Sequence, residues 1–501
     1  MTWDVVVVGG GSAGCALAGR LTEDPARRVL LLEAGAAVTD PAAFPAEVRD
    51  VGSLAAADPD GPHTWDVGVE LTGGRRTRVG RGRLLGGSSA VNGANHIRAT
   101  RADLDAWPGW SFDATLPYYI RGERDLDVAG PLHGDAGPVP VVRPAGELRS
   151  VLTERFLDAA ARVGVPPEID KNGDRPPGAG LMPANVRHGV RVNAAIAYVL
   201  PHLHRPNLAV RGDVTVARVL LEGDRAVGVE GVDGERIEAG EVVLAAGSVC
   251  TPQVLALSGI GAPDLLRAAG LPVHHERPGV GRGYSDHPSV FLAFPDTTGD
   301  AGLHPEAPGA QAAVHLDAGD DPAGDLEILL FARPFAPGGA CHLMCALQAP
   351  ESRGVMTFSA DPRVPPRLEH RYLASAHDRA RMRHVVRAAG ELLAAGGLAL
   401  GPARTPGGRT LDDRELDAWI TAHLTTSAHL CGSARLGPAD DPGAVVDPEL
   451  RVHGLRGLRV VDTSVLPTVP RRGPAATALM LGERAADLVA GRPLAARTAV
   501  P

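Results

Sequence analysis

The first residues suited to chemistry are a glycine loop, Gly9-Gly10-Gly11-Ser12-Ala13-Gly14, set directly after the apolar run of residues 4–8. In the pattern G-x-G-x-x-G the first glycine permits a tight turn. The second lets the backbone approach a diphosphate, and the third allows close packing of helix on strand. Ser12 and Ala13 open the helix, whose N-terminal N–H groups and dipole favour an anion. Glu33 follows about 20 residues on, with Ala34 beside it, and is placed to accept hydrogen bonds from an adenosine ribose. An acid here argues against NADP, whose 2′-phosphate calls for an arginine. The chain has 62 glycines, so the loop alone carries little weight. Its position between strand, helix and acid gives it meaning, but spacing leaves FAD and NAD both open.

Other reactive residue types are scattered. Five cysteines (Cys15, Cys250, Cys341, Cys345, Cys431) are odd in number and unpaired in spacing, against a disulfide framework and for a reducing compartment. Cys341, His342 and Cys345 have no second ligand pair, so they read as core packing and no metal site is expected. Lys171 is the only lysine, and the remaining positive charge is arginine. A net charge of -9 leaves no basic field for nucleic acid. The start lacks a basic n-region, and no run of about 18 apolar residues could span a membrane. The expectation is a cytoplasmic protein, with peripheral membrane association left open.

These residues need elements to position them. Continuous apolar runs at residues 4–8, 29–32 and 241–246 predict buried strands of a parallel sheet. Strand, glycine turn, helix, strand and acid make one βαβ unit. Residues 36–83 read as irregular, 84–92 as a second glycine-serine loop, and 102–107 and 148–163 as helices. Residues 207–221 alternate like strands, with a turn at Glu222-Gly-Asp-Arg225. A helix is expected near Thr251-Pro252, the proline in its first turn. Residues 296–323, rich in Gly, Pro, Ala and Asp, read as an exposed loop. Strands at 326–331 and 342–348, a helix at 374–397, a strand at 457–461 and a helix at 475–489 complete the chain.

Five segments, in order, resemble the glucose-methanol-choline (GMC) oxidoreductase family. They are Gly9 to Gly14 with Glu33-Ala34-Gly35; Arg81-Gly-Arg-Leu-Leu85-Gly86-Gly87-Ser88-Ser89-Ala90-Val91-Asn92-Gly93; Ala245-Ala246-Gly247-Ser248 through Gly261; Gly279 through Asp286-His287-Pro288; and the run from His429 to Glu483. The resemblance implies an α/β protein (α+β overall). A Rossmann-like FAD-binding domain with a parallel sheet (1–145, 185–288 and 426–501) is interleaved with a substrate domain on an antiparallel sheet with helices (146–184 and 289–425). It decides the cofactor as FAD. Leu85, Gly86, Ser89, Val91, Asn92 and Gly93 are expected along the flavin, and Val214 at the adenine through its backbone. Ala246, Gly247, Asp462, Pro474, Ala475 and Thr477 complete the implied cofactor set. Val91 sits where some relatives carry a histidine tether, which implies non-covalent FAD.

The family oxidises alcohols by base-assisted hydride transfer to flavin N5, and the resemblance makes His429 the base. Histidine's ordinary pKa suits that work near neutral pH. His287 and His453 read as structural, and His96 as a weaker site candidate. The pattern breaks at Gly473, where family members carry a second His or Asn. Either His429 works alone, or Arg472 supplies the missing polarisation, or alcohol oxidation is altered. The last option includes a non-redox lyase that keeps FAD, or an electron-carrier scaffold. Arg471 and Arg472 read either as solvated loop charges or as a contact to anionic reduced flavin or an acidic substrate. The Arg472-Gly473-Pro474 form with Val91 is similar to the subgroup of the mycofactocin system. That implies a dehydrogenase oxidising reduced mycofactocin and passing electrons to a quinone or respiratory component, with an O₂-using oxidase as the alternative. Residues 290–425 carry no readable substrate motif.

Overall fold

The computed structural model describes residues 3–295, 304–319, 321–335, 339–398 and 409–494. The strand Trp3–Val8 lies between Val29–Leu32 and Arg236–Leu244, all parallel, with Leu208–Arg211 beyond Val29–Leu32. Val5 to Val8 are buried on both faces of this sheet, which is why their run is continuous rather than alternating. Leu458–Val460 adds in parallel to Arg236–Leu244, and the hairpin Val216–Glu222 with Arg225–Gly231 adds antiparallel. The helix Ser12–Leu21 packs between this sheet and the C-terminal helix Ala475–Ala490, with Gly482 giving room for Ala13 and Ala16.

A second sheet of six antiparallel strands runs in the order Thr425–Thr426, Pro288–Phe294, Cys341–Leu347, Leu326–Phe331, Ala310–Leu316, Ala179–Leu181. Cross-strand register aligns Phe291, Met344, Leu329 and Ala313 in one row, and Ser289, Ala346, Glu327 and His315 in the next row of the same face. The helix Ala376–Ala395 covers this sheet. A third sheet joins Arg282–Tyr284, Gly354–Thr357 and Arg367–Glu369 to Thr64–Thr72 and Arg75–Gly82. It takes strands from both sides of the expected domain division.

Three sequence expectations fail here. Residues 36–83 are not all irregular: Thr64–Thr72 and Arg75–Gly82 form a long hairpin about Gly73-Gly74, both at positive φ (52° and 83°). A glycine pair between alternating runs is a hairpin signal, obscured here by four arginines on one arm. Residues 296–323 are not one exposed loop, since Ala310–Leu316 is a buried central strand. Its alanines let it sit between neighbours without the bulk that marks a strand in sequence; residues 296–303 and 320 lie outside the described set. The helix Gly247–Leu257 starts earlier than expected, so Pro252 lies inside it. Proline has no N–H to give to the Ser248 carbonyl. Ser433 Oγ donates to that carbonyl instead, at 2.6 Å. The thiols of Cys15, Cys250, Cys345 and Cys431 are not joined in disulfides.

Candidate active site

One cavity of about 500 Å³ runs from the first glycine loop to the antiparallel sheet. At one end Gly9, Gly11, Ser12 and Ala13 line it at the N-terminus of the first helix, with Glu33 and Ala34 alongside. Gly9 has φ +108°, and a Cβ there would stand 2.5 Å from the Ala245 carbonyl oxygen. Gly87, at φ +53°, brings the second glycine loop so close that its Cβ would meet Gly11 Cα at 2.6 Å. Only glycine fits at position 87, where the two loops touch. Gly14 lies behind, its space filled by the Gly9 carbonyl at 2.0 Å from a notional Cβ. The Glu33 carboxylate accepts N–H bonds from Gly10 and Gly35, each at 2.9 Å. Burial pushes the Glu33 carboxyl up to about 7 against those amides.

The middle of the cavity is walled by Ser88, Ser89, Val91, Asn92 and Gly93 on one side. Ala246, Gly247, Asp462, Pro474 and Ala475 stand on the other. Val214 lines the cavity beside Glu33; its own N–H is spent on the Glu33 carbonyl, so its carbonyl and side chain are what it offers. Asp462 accepts from the Gly247 N–H at 2.9 Å and the Thr251 hydroxyl at 2.6 Å, tying the strand end to the helix start. A long tube with a helix N-terminus, an acid and glycine-lined walls fits FAD.

Besides Gly14, four implied site residues do not line the cavity. Leu85 and Gly86 stand behind the loop: Leu85 is fully buried against Gly10, and the Gly86 N–H is bound to the Gly10 carbonyl. Thr477 points away and shares a 2.8 Å hydrogen bond with Tyr119, because the face of its helix that borders the cavity is the one carrying Ala475 and Ala478. The buried Arg472 guanidinium donates to the carbonyls of Gly324 and Arg471 at 3.1 and 2.9 Å, so it does not reach the cavity beside His429. Arg471 pairs with Asp103 and Asp321, each at 2.6 Å, rather than with anything in the cavity.

At the sheet end, His429 faces Gly473 across the cavity. A Cβ on Gly473 would lie 3.6 Å from His429 Nε2. His429 Nδ1 is 2.9 Å from His287 Nδ1, and His287 Nε2 is 3.1 Å from the Gln348 carbonyl oxygen. A carbonyl only accepts, so His287 carries its proton on Nε2 and accepts at Nδ1. Burial, then the neighbouring His429, pushes the His287 imidazole down to about 3, keeping it neutral. His429 therefore donates from Nδ1, and its Nε2 lone pair is left free toward Gly473. Such an imidazole can take a proton from a hydroxyl at that spot.

Asp286 holds this pair in place. Its carboxylate accepts from the His429 N–H at 2.7 Å, the His287 N–H at 2.8 Å and the Thr426 hydroxyl at 2.7 Å. Burial favours its neutral form, but His370, His429 and Thr426 hold its carboxyl below the ordinary range. Ala428, just before His429, adopts a left-handed φ of +58°, unusual for a residue with a Cβ. Thr426 Oγ1 accepts its N–H at 2.9 Å and Arg81 donates to its carbonyl. Asp286, Thr426 and Arg81 are neighbours that sequence reasoning passed over, although two of them sit inside matched motifs; His287, read there as structural, is the residue that positions the His429 ring. Ile97, Met182, Phe291, Leu329, Phe331 and Met344 also line the cavity, with Glu327 among them.

The remaining candidates are structural. His453 binds the Gly437 carbonyl at 3.0 Å, as expected of a framework residue. His96 is buried 3.7 Å from Glu123, outside the cavity. Glu123, Asp125 and His133 lie close enough to hold a metal ion. Arg98 and Arg143 already bind those carboxylates, however, and leave no net negative charge for a cation.

The GMC oxidoreductase N-terminal family profile matches residues 3–289 and its C-terminal counterpart matches residues 350–482. The chain belongs to the GMC oxidoreductase family. An uncharacterised GMC-type oxidoreductase of Rhodococcus erythropolis is 40% identical over 503 residues, covering 97% of this chain and 98% of that protein. Mouse mitochondrial choline dehydrogenase is 34% identical, covering 97% and 89%. Among solved structures, pyridoxine 4-oxidase from Mesorbium loti superposes with TM-score 0.85 at 30% identity, covering 97% and 98%. A formate oxidase variant from Aspergillus oryzae reaches 0.87 at 24% identity, covering 98% of each chain, a likeness of fold. As a GMC member the protein is an FAD-dependent oxidoreductase of mixed α/β fold. Among the described residues no helix is long and apolar enough to cross a membrane.

Proposed function

We propose that this GMC oxidoreductase oxidises a small alcohol, with His429 Nε2 as the base that takes the hydroxyl proton. The carrying observation is the His429–His287–Gln348 chain, which leaves Nε2 unprotonated at the cavity surface beside Gly473. FAD, held without a covalent bond between the two glycine loops, supplies the hydride acceptor. The glycine loop and helix N-terminus bind its diphosphate, Glu33 its ribose, and Val91 offers no nucleophile for a tether. Phe291, Phe331, Leu329 and Met344 exclude water from the alcohol and orient its carbon skeleton. With Gly473 in place of a second polar side chain, His429 works without a partner on that side.

Two of the named relatives at 30% identity or more, a choline dehydrogenase and a pyridoxine oxidase, support an alcohol as substrate class. We place this chain with the dehydrogenases, passing electrons to a quinone or another respiratory component. Reduced mycofactocin belongs in the panel of donors. The test is anaerobic stopped-flow reduction of the flavin by that panel, comparing wild type with His429→Ala. Flavin reduction in the variant falls by about 10²–10⁴ while FAD stays bound. Equal reduction rates in the two proteins would remove His429 from the chemistry, and stoichiometric peroxide in air would make the enzyme an oxidase.

A further inference from the structure

The sole lysine of the chain is fully buried at the centre of an unbroken line of titratable side chains. Lys171 Nζ donates to Glu168 Oε2, to the Gly178 carbonyl at 2.9 Å and to His315 Nδ1 at 3.1 Å. On the other side of that imidazole, His315 Nε2 lies 3.0 Å from Glu327 Oε2. Glu327 stands on the cavity wall, and among the described residues no protein group binds its second oxygen. At the opposite end Glu168 lies beneath the exposed residues Pro166, Pro167 and Ile169. The line therefore runs from the cavity, along one row of the antiparallel sheet and past its edge, to a surface loop.

Four charges meet here: Glu168 and Glu327 against Lys171 and Arg472. The Arg472 guanidinium feels both carboxylates and Asp103, with Arg471 beside it. Burying such a group is costly, and apolar packing of equal volume would pin the loop as well. A Cβ on Gly180 would stand 2.0 Å from the Glu168 carbonyl oxygen, so glycine lets the backbone of Glu168 pack against the sheet edge beside Lys171. Both tautomers of His315 have partners. With its proton on Nε2 it donates to Glu327 and accepts from Lys171. With its proton on Nδ1 it donates to Glu168 Oε2 at 3.3 Å and can accept from a protonated Glu327.

We propose that Glu327, His315, Lys171 and Glu168 form a proton relay between the cavity and the surface, an inference that rests on the alcohol oxidation assigned above. Oxidation leaves the hydroxyl proton on His429, which must be cleared before the next turnover. His429 gives that proton to the Glu327 carboxylate across cavity water. Glu327 then passes it to His315 Nε2 as the His315 Nδ1 proton leaves for Glu168, and Glu168 yields it to bulk water. His315 is left neutral with its proton on Nε2. When a quinone or other acceptor that takes protons with its electrons completes the cycle, transfer runs inward. Lys171 protonates Nδ1, the Nε2 proton returns to Glu327, and Lys171 is recharged through Glu168. One proton moves out and one moves in per turnover, so each half-cycle resets the other without a ring flip. Burial, opposed by Glu168, brings the Lys171 ammonium down to about 8, within reach of proton exchange near neutral pH.

Because Lys171 is the only lysine, ¹⁵Nζ-lysine labelling of the FAD-bound enzyme gives a single side-chain NMR signal. The relay predicts that its hydrogens exchange with water on the millisecond scale in wild type despite full burial, and about tenfold or more slowly in Glu168→Gln. Protection as long as that of core backbone amides would overturn the relay. In stopped-flow with a pH indicator, proton release by His315→Gln lags its own flavin reduction by about tenfold or more. Release that keeps pace with reduction would overturn it too. If no alcohol reduces the wild-type flavin, the oxidation reading fails, and the lysine exchange still decides the relay.

Discussion

At the scale of single residues, the site depends on which nitrogen of His429 carries a proton. That is settled two residues away, by a carbonyl that can only accept from His287. Replacing His287 with leucine removes the acceptor for His429 Nδ1–H and frees the ring to rotate or change tautomer. Flavin reduction then falls by about 10–100-fold with FAD still bound, as measured by anaerobic rapid mixing. The acid limb of activity follows from the same pocket. Burial lowers the His429 imidazole below its ordinary 6.5, against the pull of Asp286 and Glu327. Its neutral, proton-accepting form therefore persists below pH 6.5, and kcat/KM falls only in more acidic buffer. An acid limb centred above 6.5 in a pH–rate profile would contradict this.

Between elements, positioning relies on a few polar ties across distant segments. Asp286 binds the strand that starts at Pro288 to the segment holding His429, and Asp462 binds the last parallel strand to the helix Gly247–Leu257. Pro252 breaks that helix's own hydrogen-bond ladder, and Ser433 repairs it from the segment just after His429. Ser433→Ala leaves the Ser248 carbonyl buried without a partner. Chemical denaturation should show a loss of about 1–3 kcal/mol, with the flavin spectrum of the native state unchanged. The hairpin Thr64–Gly82, read as irregular from sequence, delivers Arg81 to the Ala428 carbonyl, so a missed element carries one of the residues that shape the site.

For the molecule as a whole, one pH-dependent part of stability lies in the cluster around His133. Burial alone would raise the Glu123, Asp125 and Asp170 carboxyls, but Arg98, Arg143 and His133 hold all three below the ordinary range. Their contribution is complete above the unfolded carboxyl pKa of about 4 and is lost as pH falls below it. His133 runs the other way. Burial would lower its imidazole, yet Asp125, Asp170 and Glu123 raise it to about 10. Its contribution is complete below the ordinary value of 6.5 and fades as pH climbs toward 10. The stabilisation that this cluster contributes is greatest between about pH 4.5 and 6.5 and declines on both sides. In His133→Gln the alkaline decline flattens, which thermal melts across pH 5–10 would register; an unchanged slope would remove His133 from the balance.

The sequence by itself determined what depends on short stretches of chain. The first strand, glycine loop, helix, second strand and Glu33 follow one another, and local pattern is enough to read them. The motif around His429 was legible for the same reason, as was the gap at Gly473. Only the tertiary structure decided what depends on residues far apart in sequence meeting in space. His287 lies 142 positions from His429 and fixes its tautomer. Thr477 and Arg472 sit in matched motifs yet turn away from the cavity, because a helix or loop shows the cavity only one of its sides. The strand Ala310–Leu316 hid among alanines and glycines, since burial between neighbours rather than side-chain pattern makes it a strand. Lys171 reads in sequence as a stray of arginine-rich composition. Folding brings it beside Glu168 and His315 and makes it the only buried ammonium on the way out of the site.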